Sequence, residues 1–207
     1  MTKIKICGIT QSAEIEYLNK YIPDYAGFVF ANSKRRVAAE KAAFLSANLA
    51  QEIKKVGVFV DMEPADAAII AAQVGLDVLQ LHGSEDEEYI KTLRPLLRRG
   101  TEIWKAVRVS SDLENYGFPA AQTDRILLDS YVPGSPGGTG KTFDWTLASR
   151  FDSALPVVLA GGLNADNVRQ AIEQVRPFAV DTSSGVESDG IKNEFKLKAF
   201  IKAVRQE

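Results

Sequence analysis

Short apolar runs and longer amphipathic segments alternate along this chain from end to end. Ile4 to Cys7 reads as a strand and Ala13 to Tyr21 as a helix. Ala26 to Phe30 is a second apolar run, followed by an alanine-rich helical stretch from Ala38 to Leu49. Val56 to Val60 predicts a third strand, and Pro64 suits the first turn of the helix after it. Val78 to Leu81 then precedes a charged helix over Glu85 to Leu97. Ile103 to Val107 predicts a fifth strand, with a short helical piece near Leu113, and Ile126 to Leu128 a sixth. Tyr131 to Thr142 reads as a long loop, with a helix starting near Phe143. Two more apolar runs, Val157 to Leu159 and Phe178 to Val180, flank a helical segment, and Glu194 to Val204 closes the chain as a helix.

The strands are near-continuous apolar runs rather than strict alternations, which suits a parallel sheet covered by helices. Eight βα units in 207 residues predict an α/β fold of the (β/α)8 or TIM-barrel kind, one compact domain spanning residues 1–207. A doubly wound open sheet competes with this reading, but no G-x-G-x-x-G follows the first strand. No linker or low-complexity tract interrupts the alternation.

Composition narrows the function more than the fold. The net charge of −2 supplies no basic field for nucleic acid or an anionic membrane. No apolar run approaches the ~18 residues of a membrane span, and the N-terminus lacks the apolar core of a signal peptide. One cysteine rules out an internal disulfide, and one histidine makes a structural zinc site a poor expectation. A cytoplasmic enzyme or small-molecule-binding protein without a metal fits these facts.

In a (β/α)8 barrel, chemistry belongs at the C-terminal strand ends. The polar residues expected there are Cys7, Ser33 to Arg36, Asp61, Gln80, His82, Lys105, Arg108, Asp129 and Asp181. Cys7 and Asp129 end the first and sixth strands, so a thiol and a carboxyl group can face one cavity as base and acid. As a base, Cys7 needs a lowered pKa; otherwise it is a small buried hydrophobe. His82 is either a rival acid–base group or a hydrogen-bonded spacer. Gly161-Gly162 and Ser183-Ser184-Gly185 end the last two strands, and small residues there let backbone N–H groups close on an anion. A helix N-terminus directly behind each turn would favour a phosphate further. The segment Gly134 to Thr142 is not a Walker A loop: the glycine required five positions before Gly140 is Ser135. It reads instead as a lid.

Taken together, these strings resemble the phosphoribosylanthranilate isomerase family of tryptophan biosynthesis. The pieces are KICGIT at Lys5 to Thr10, GFVF at Gly27 to Phe30, VGVFV at Val56 to Val60 and LQLHG at Leu79 to Gly83. LLD at Leu127 to Asp129, GGTGKTFDW at Gly137 to Trp145, AGGLNADNV at Ala160 to Val168 and DTSSGVE at Asp181 to Glu187 complete the set in order. The resemblance implies an Amadori rearrangement of an aminoaldose phosphosugar to a ketose, with Cys7 as general base and Asp129 as general acid. It implies an arginine clamp on the anthranilate carboxylate, at Arg35 or the adjacent Arg36, with Gln80, His82 and Asp181 also on the substrate. Phosphate would lie on Gly161, Gly162, Ser183, Ser184 and Gly185. No cofactor is implied, because the substrate's own nitrogen is the electron sink, and the expected assembly is a monomer or homodimer. Lys34, Thr182 and Asn193 depart from the family's usual residues, at positions outside the catalytic pair.

Overall fold

In the computed structural model, residues 1–109, 122–130, 145–151 and 153–206 are described. Eight parallel strands close a barrel: β1 (Lys3–Cys7), β2 (Tyr25–Val29), β3 (Lys54–Phe59), β4 (Val78–Leu81), β5 (Glu102–Val109), β6 (Arg125–Ser130), β7 (Val157–Leu159) and β8 (Ala179–Thr182). The pairing of Lys5 with Asp181 across β1 and β8 completes the ring and excludes the open sheet. Helices α1 (Ser12–Tyr21), α2 (Ala39–Ala47), α3 (Pro64–Val74), α4 (Glu87–Leu93), α5 (Trp145–Arg150), α6 (Val168–Val175) and α7 (Glu194–Arg205) accompany the strands. The short helix expected near Leu113, the loop at 131–142 and the helix start at Phe143 lie outside the described residues.

Two cores follow from the period-2 alternation of each strand. Ile4, Ile6, Phe28, Leu79, Leu81, Ile126 and Leu128 point outward and pack under the helices. Tyr25, Val56, Val78, Trp104, Leu127, Val158 and Ala179 point inward and fill the barrel. The Tyr25 and Trp104 rings meet edge to face at 5.0 Å, while Glu102 takes hydrogen bonds from Trp104 Nε1 (2.8 Å) and Arg125 Nε (2.9 Å). That floor closes the N-terminal end. One step higher, the inward positions Gln80, Asp129 and Asp181 are polar and line the C-terminal mouth beside smaller residues such as Ala160.

The helix expected over Glu85 to Leu97 is shorter. Asp86 caps α4 by accepting from Tyr89 N (2.9 Å), and Pro95, lacking an N–H, sits in a 3₁₀ turn at Arg94–Leu96. Glu85 lies before the helix and is buried. It accepts from Asp61 N and Gly83 N (both 2.9 Å) and pairs with Lys105 Nζ at 2.7 Å. An antiparallel hairpin, β9 (Glu187–Ser188) with β10 (Ile191–Lys192), was not expected. Its turn is Asp189-Gly190, both at positive φ (52° and 80°), a dipeptide strongly favoured in two-residue hairpins.

Candidate active site

A cavity of about 370 Å³ occupies the C-terminal mouth. Cys7, Arg35, Gln80, His82, Asp129 and Asp181 all line it, as do Gly161, Gly162, Ser183, Ser184 and Gly185. Of the two candidate clamp arginines, Arg36 stays out: it is exposed, beyond a turn closed by its N–H to Ser33 O (3.2 Å). Asp61 and Lys105 also lie elsewhere. Lys105 falls between inward Trp104 and Ala106, so it points out toward Glu85. Asp61 is turned to the β4 loop, where it accepts from Ser84 Oγ at 2.8 Å. Arg108 is inward and does line the cavity.

Cys7 owes its space to glycine. Gly27 faces it in register on β2, and a Cβ there would come within 2.9 Å of the Cys7 sulfur. Behind the thiol, Lys5 is fully buried and donates from Nζ to Asp181 Oδ2 at 2.8 Å. The thiol pKa departs from expectation. Burial is the largest influence and pushes it up, and the opposing pull of Lys5 does not overcome it. Burial likewise pushes the Asp181 carboxyl up, against the attraction of Lys5.

Across the cavity, His82 Nε2 lies 3.3 Å from Asp129 Oδ2, and Gln80 Nε2 lies 3.0 Å from His82 Nδ1. The ring thus stands between the Gln80 amide and the Asp129 carboxyl group.

The arginine is held by a partner that the sequence reading missed. Arg35 Nε and Nη2 donate to the two oxygens of Glu187, each at 2.7 Å, a bidentate pair. Lys192 Nζ donates to the same carboxylate. Burial opposes the Glu187 charge, but the two cations outweigh it and hold its pKa at about 2. Ser183 Oγ, next to this group, donates to Cys7 O at 2.9 Å. The Asp189-Gly190 turn signalled the hairpin; the pairing of Glu187 with Arg35, 152 residues away, had no local signal. Lys5 did have one, since a lysine among the apolar residues of a strand needs a buried partner.

The two small-residue turns meet. Gly161 and Gly162 take φ of 87° and 65°, and Asn167 Nδ2 braces the turn by donating to Gly162 O at 3.0 Å. Thr182 Oγ1 donates to Leu163 O at 2.6 Å, linking this turn to the end of β8. Helix geometry differs from expectation. A single 3₁₀ turn at Ser184–Val186 follows β8, and α6 starts only at Val168 because Asn164 and Asn167 first close a polar turn. Asn193 has a local role: it caps α7, accepting from Lys196 N at 3.1 Å. Among the described residues, no group of three His, Cys, Asp or Glu side chains is placed to hold a metal ion, and no helix is long and apolar enough to cross a membrane.

Fold and cavity together define a (β/α)8-barrel protein with a polar site at its C-terminal mouth. Comparison with known proteins narrows this. The family model described as N-(5'-phosphoribosyl)anthranilate (PRA) isomerase matches residues 4–203, and the chain belongs to that family. It is 47% identical to the N-(5'-phosphoribosyl)anthranilate isomerase of Clostridium acetobutylicum, over 100% of this chain and 99% of the relative. Among solved structures, it resembles monomers of the dimeric phosphoribosylanthranilate isomerase of Thermotoga maritima, with 40% identity, TM-score 0.82 and full coverage of both chains. It also resembles a phosphoribosylanthranilate isomerase solved in complex with reduced 1-(o-carboxyphenylamino)-1-deoxyribulose 5-phosphate, with 37% identity, TM-score 0.81 and full coverage of both chains.

Proposed function

We propose that this chain is an N-(5'-phosphoribosyl)anthranilate isomerase, converting phosphoribosylanthranilate to 1-(2-carboxyphenylamino)-1-deoxyribulose 5-phosphate in tryptophan biosynthesis. Family membership over residues 4–203 supports the reaction. The observation that carries it to particular residues is the shared cavity of Cys7, Asp129, Arg35 and the two small-residue turns.

The substrate phosphate lies on the backbone at Gly161, Gly162 and Ser183 to Gly185, where the absence of bulky side chains lets N–H groups approach. Arg35 faces the anthranilate carboxylate. Glu187 occupies its Nε and one Nη2 hydrogen, leaving the Nη1 hydrogens for the ligand. Gln80, His82 and Asp181 surround the ribose. Asp129 acts as the general acid, donating to the ribose ring oxygen and opening the aminoaldose to an iminium, with His82 beside it at 3.3 Å. Cys7, as thiolate, removes the C2′ proton, and the electron pair moves to the substrate nitrogen to give an enolamine. Tautomerisation gives the ketose. The acid and base act at different atoms of the sugar, which suits groups on β6 and β1 rather than one residue serving twice.

All these residues come from one chain, so the site is complete in a monomer, and a homodimer would carry two such sites. The expected compartment is the cytoplasm. Fluorescence of phosphoribosylanthranilate, followed with the purified chain, tests the assignment. Loss of signal that requires Cys7 supports it; absence of turnover on this substrate by a folded, phosphate-binding chain would leave another phosphosugar barrel enzyme or a non-catalytic binder.

A further inference from the structure

We propose that Lys5 is a positioning residue for the Cys7 base: its buried ammonium lies beneath the thiol on the same inward face of β1, is held there by Asp181, and is the counter-charge to the thiolate. This role rests on the proposed isomerase reading for its use in turnover, although the link between the two side chains does not.

Three observations converge. Ile4 and Ile6 take the outward positions of β1, so Lys5 and Cys7, two residues apart, both face the barrel interior. Lys5 is 0% exposed, its ammonium donates to Asp181 Oδ2 at 2.8 Å, and the Cys7 thiol is the other group its charge acts on. Asp181 stands in register with Lys5 on β8, and its second oxygen, Oδ1, is buried without a hydrogen-bond partner among the described residues. A buried ion pair kept only for packing has no need of an orphaned carboxylate oxygen or of a thiol on its third side. Replacing such pairs with apolar groups is often neutral for stability, which points to another reason for keeping this one.

The electrostatics agree in sign. Burial raises the thiol, and Lys5 is the largest influence against it. The charged groups facing Cys7 are Lys5 on its own strand, Asp181 from β8, Lys192 from β10 and Arg35 from the loop after β2. Asp129 and His82 act on Asp181 from the opposite wall. Lys192 and Arg35 are both engaged by Glu187, so Lys5 is the cation committed to the thiol side. Burial opposes the Lys5 charge, but Asp181 and Cys7 raise its pKa, so it remains an ammonium throughout. No proton crosses to Lys5: the thiolate accepts the C2′ proton, the C–H electron pair passes to the substrate nitrogen, and Lys5 only stabilises the anion before transfer.

The test uses the full chain, whose single cysteine makes every thiol signal report Cys7. The pH dependence of alkylation by iodoacetamide gives the thiol titration, beside kcat and KM on phosphoribosylanthranilate. Lys5→Met should move the titration upward by at least about one unit, leaving ~tenfold less thiolate at any pH below both midpoints. Its kcat should fall in parallel with little change in KM, and Lys5→Arg should restore most of both. Asp181→Asn removes the competing anion while keeping the shape, and should move the titration downward. That opposite sign tests the proposal even if Lys5→Met fails to fold. An unmoved titration in folded Lys5→Met, or in Asp181→Asn, would reduce the pair to a packing element. Shifted titrations in a chain that does not turn over the substrate would instead overturn the functional reading and leave the Lys5–Cys7 link standing.

Discussion

In the proposed reaction, the base Cys7 and the acid Asp129 stand on β1 and β6 of the barrel. Cys7→Ala and Asp129→Asn should each lower kcat by ~10²–10⁴-fold, as for a lost general base or acid, while the variants stay folded. Steady-state kinetics with a melting curve check both. His82→Asn should cost much less, because the ring lies beside Asp129 and its loss leaves the carboxyl group in place. Arg35→Ala should chiefly raise KM, since a carboxylate contact made in ground and transition states alike is uniform binding. Arg36→Ala should do almost nothing, as its side chain lies outside the cavity. Glu187 adds a pH dependence with a definite sign. Its folded pKa is depressed from 4.5 to about 2, so its stabilising contribution is fully present above the unfolded value and is lost as pH falls toward the folded one. The gap in melting temperature between wild type and Glu187→Gln should therefore be widest near neutrality and close between about pH 5 and pH 2. A gap that widened on acidification would contradict the Arg35–Glu187–Lys192 arrangement.

The elements differ in how they are fastened at the mouth. The loops after β3 and β4 are joined by Glu85, which accepts from Asp61 N and Gly83 N and neutralises buried Lys105. Glu85→Ala strands that lysine without a counter-charge and should destabilise the barrel by ~3–5 kcal/mol, the usual cost of breaking a buried pair from one side. Denaturant unfolding measures it, and Glu85→Gln with Lys105→Met should recover a substantial part. The β9–β10 hairpin fastens the opposite side. Its Glu187 reaches Arg35, its Lys192 N donates to Glu14 Oε1 at 2.9 Å, and Glu14 Oε2 accepts from Thr10 N and Gln11 N of the loop after β1. The loop carrying the thiol's neighbours and the turn carrying Ser183 and Ser184 are thus tied through two carboxylates.

At the scale of the whole molecule, anion binding should couple to stability. Inorganic phosphate bound at the joined turns of β7 and β8 should raise the melting temperature, by ~2.7 kcal/mol of added stability at a hundredfold excess over Kd. Gly185→Ala should abolish the gain, because a Cβ there would run into the Leu163 carbonyl and part the two turns. A gain of equal size in that variant would move the anion elsewhere.

How much of this was legible in the chain follows from what is local and what is not. The alternation of apolar runs and amphipathic helices determined eight βα units, and period 2 within each strand determined that Gln80 and His82, or Leu127 and Asp129, share a face. Small residues at the ends of β7 and β8 marked the two turns that meet at the cavity, and KICG with SSGVE marked the family. Where Lys105 points, why Arg36 stays out and which carboxylate holds Arg35 were decided only when the barrel closed. Each depends on contact between segments far apart in sequence, up to the 176 residues separating Lys5 from Asp181. The state of the Cys7 thiol is likewise tertiary. A sequence lists the groups, but the balance between burial and the charge of Lys5 is set by distances that only the closed β1–β8 pair creates.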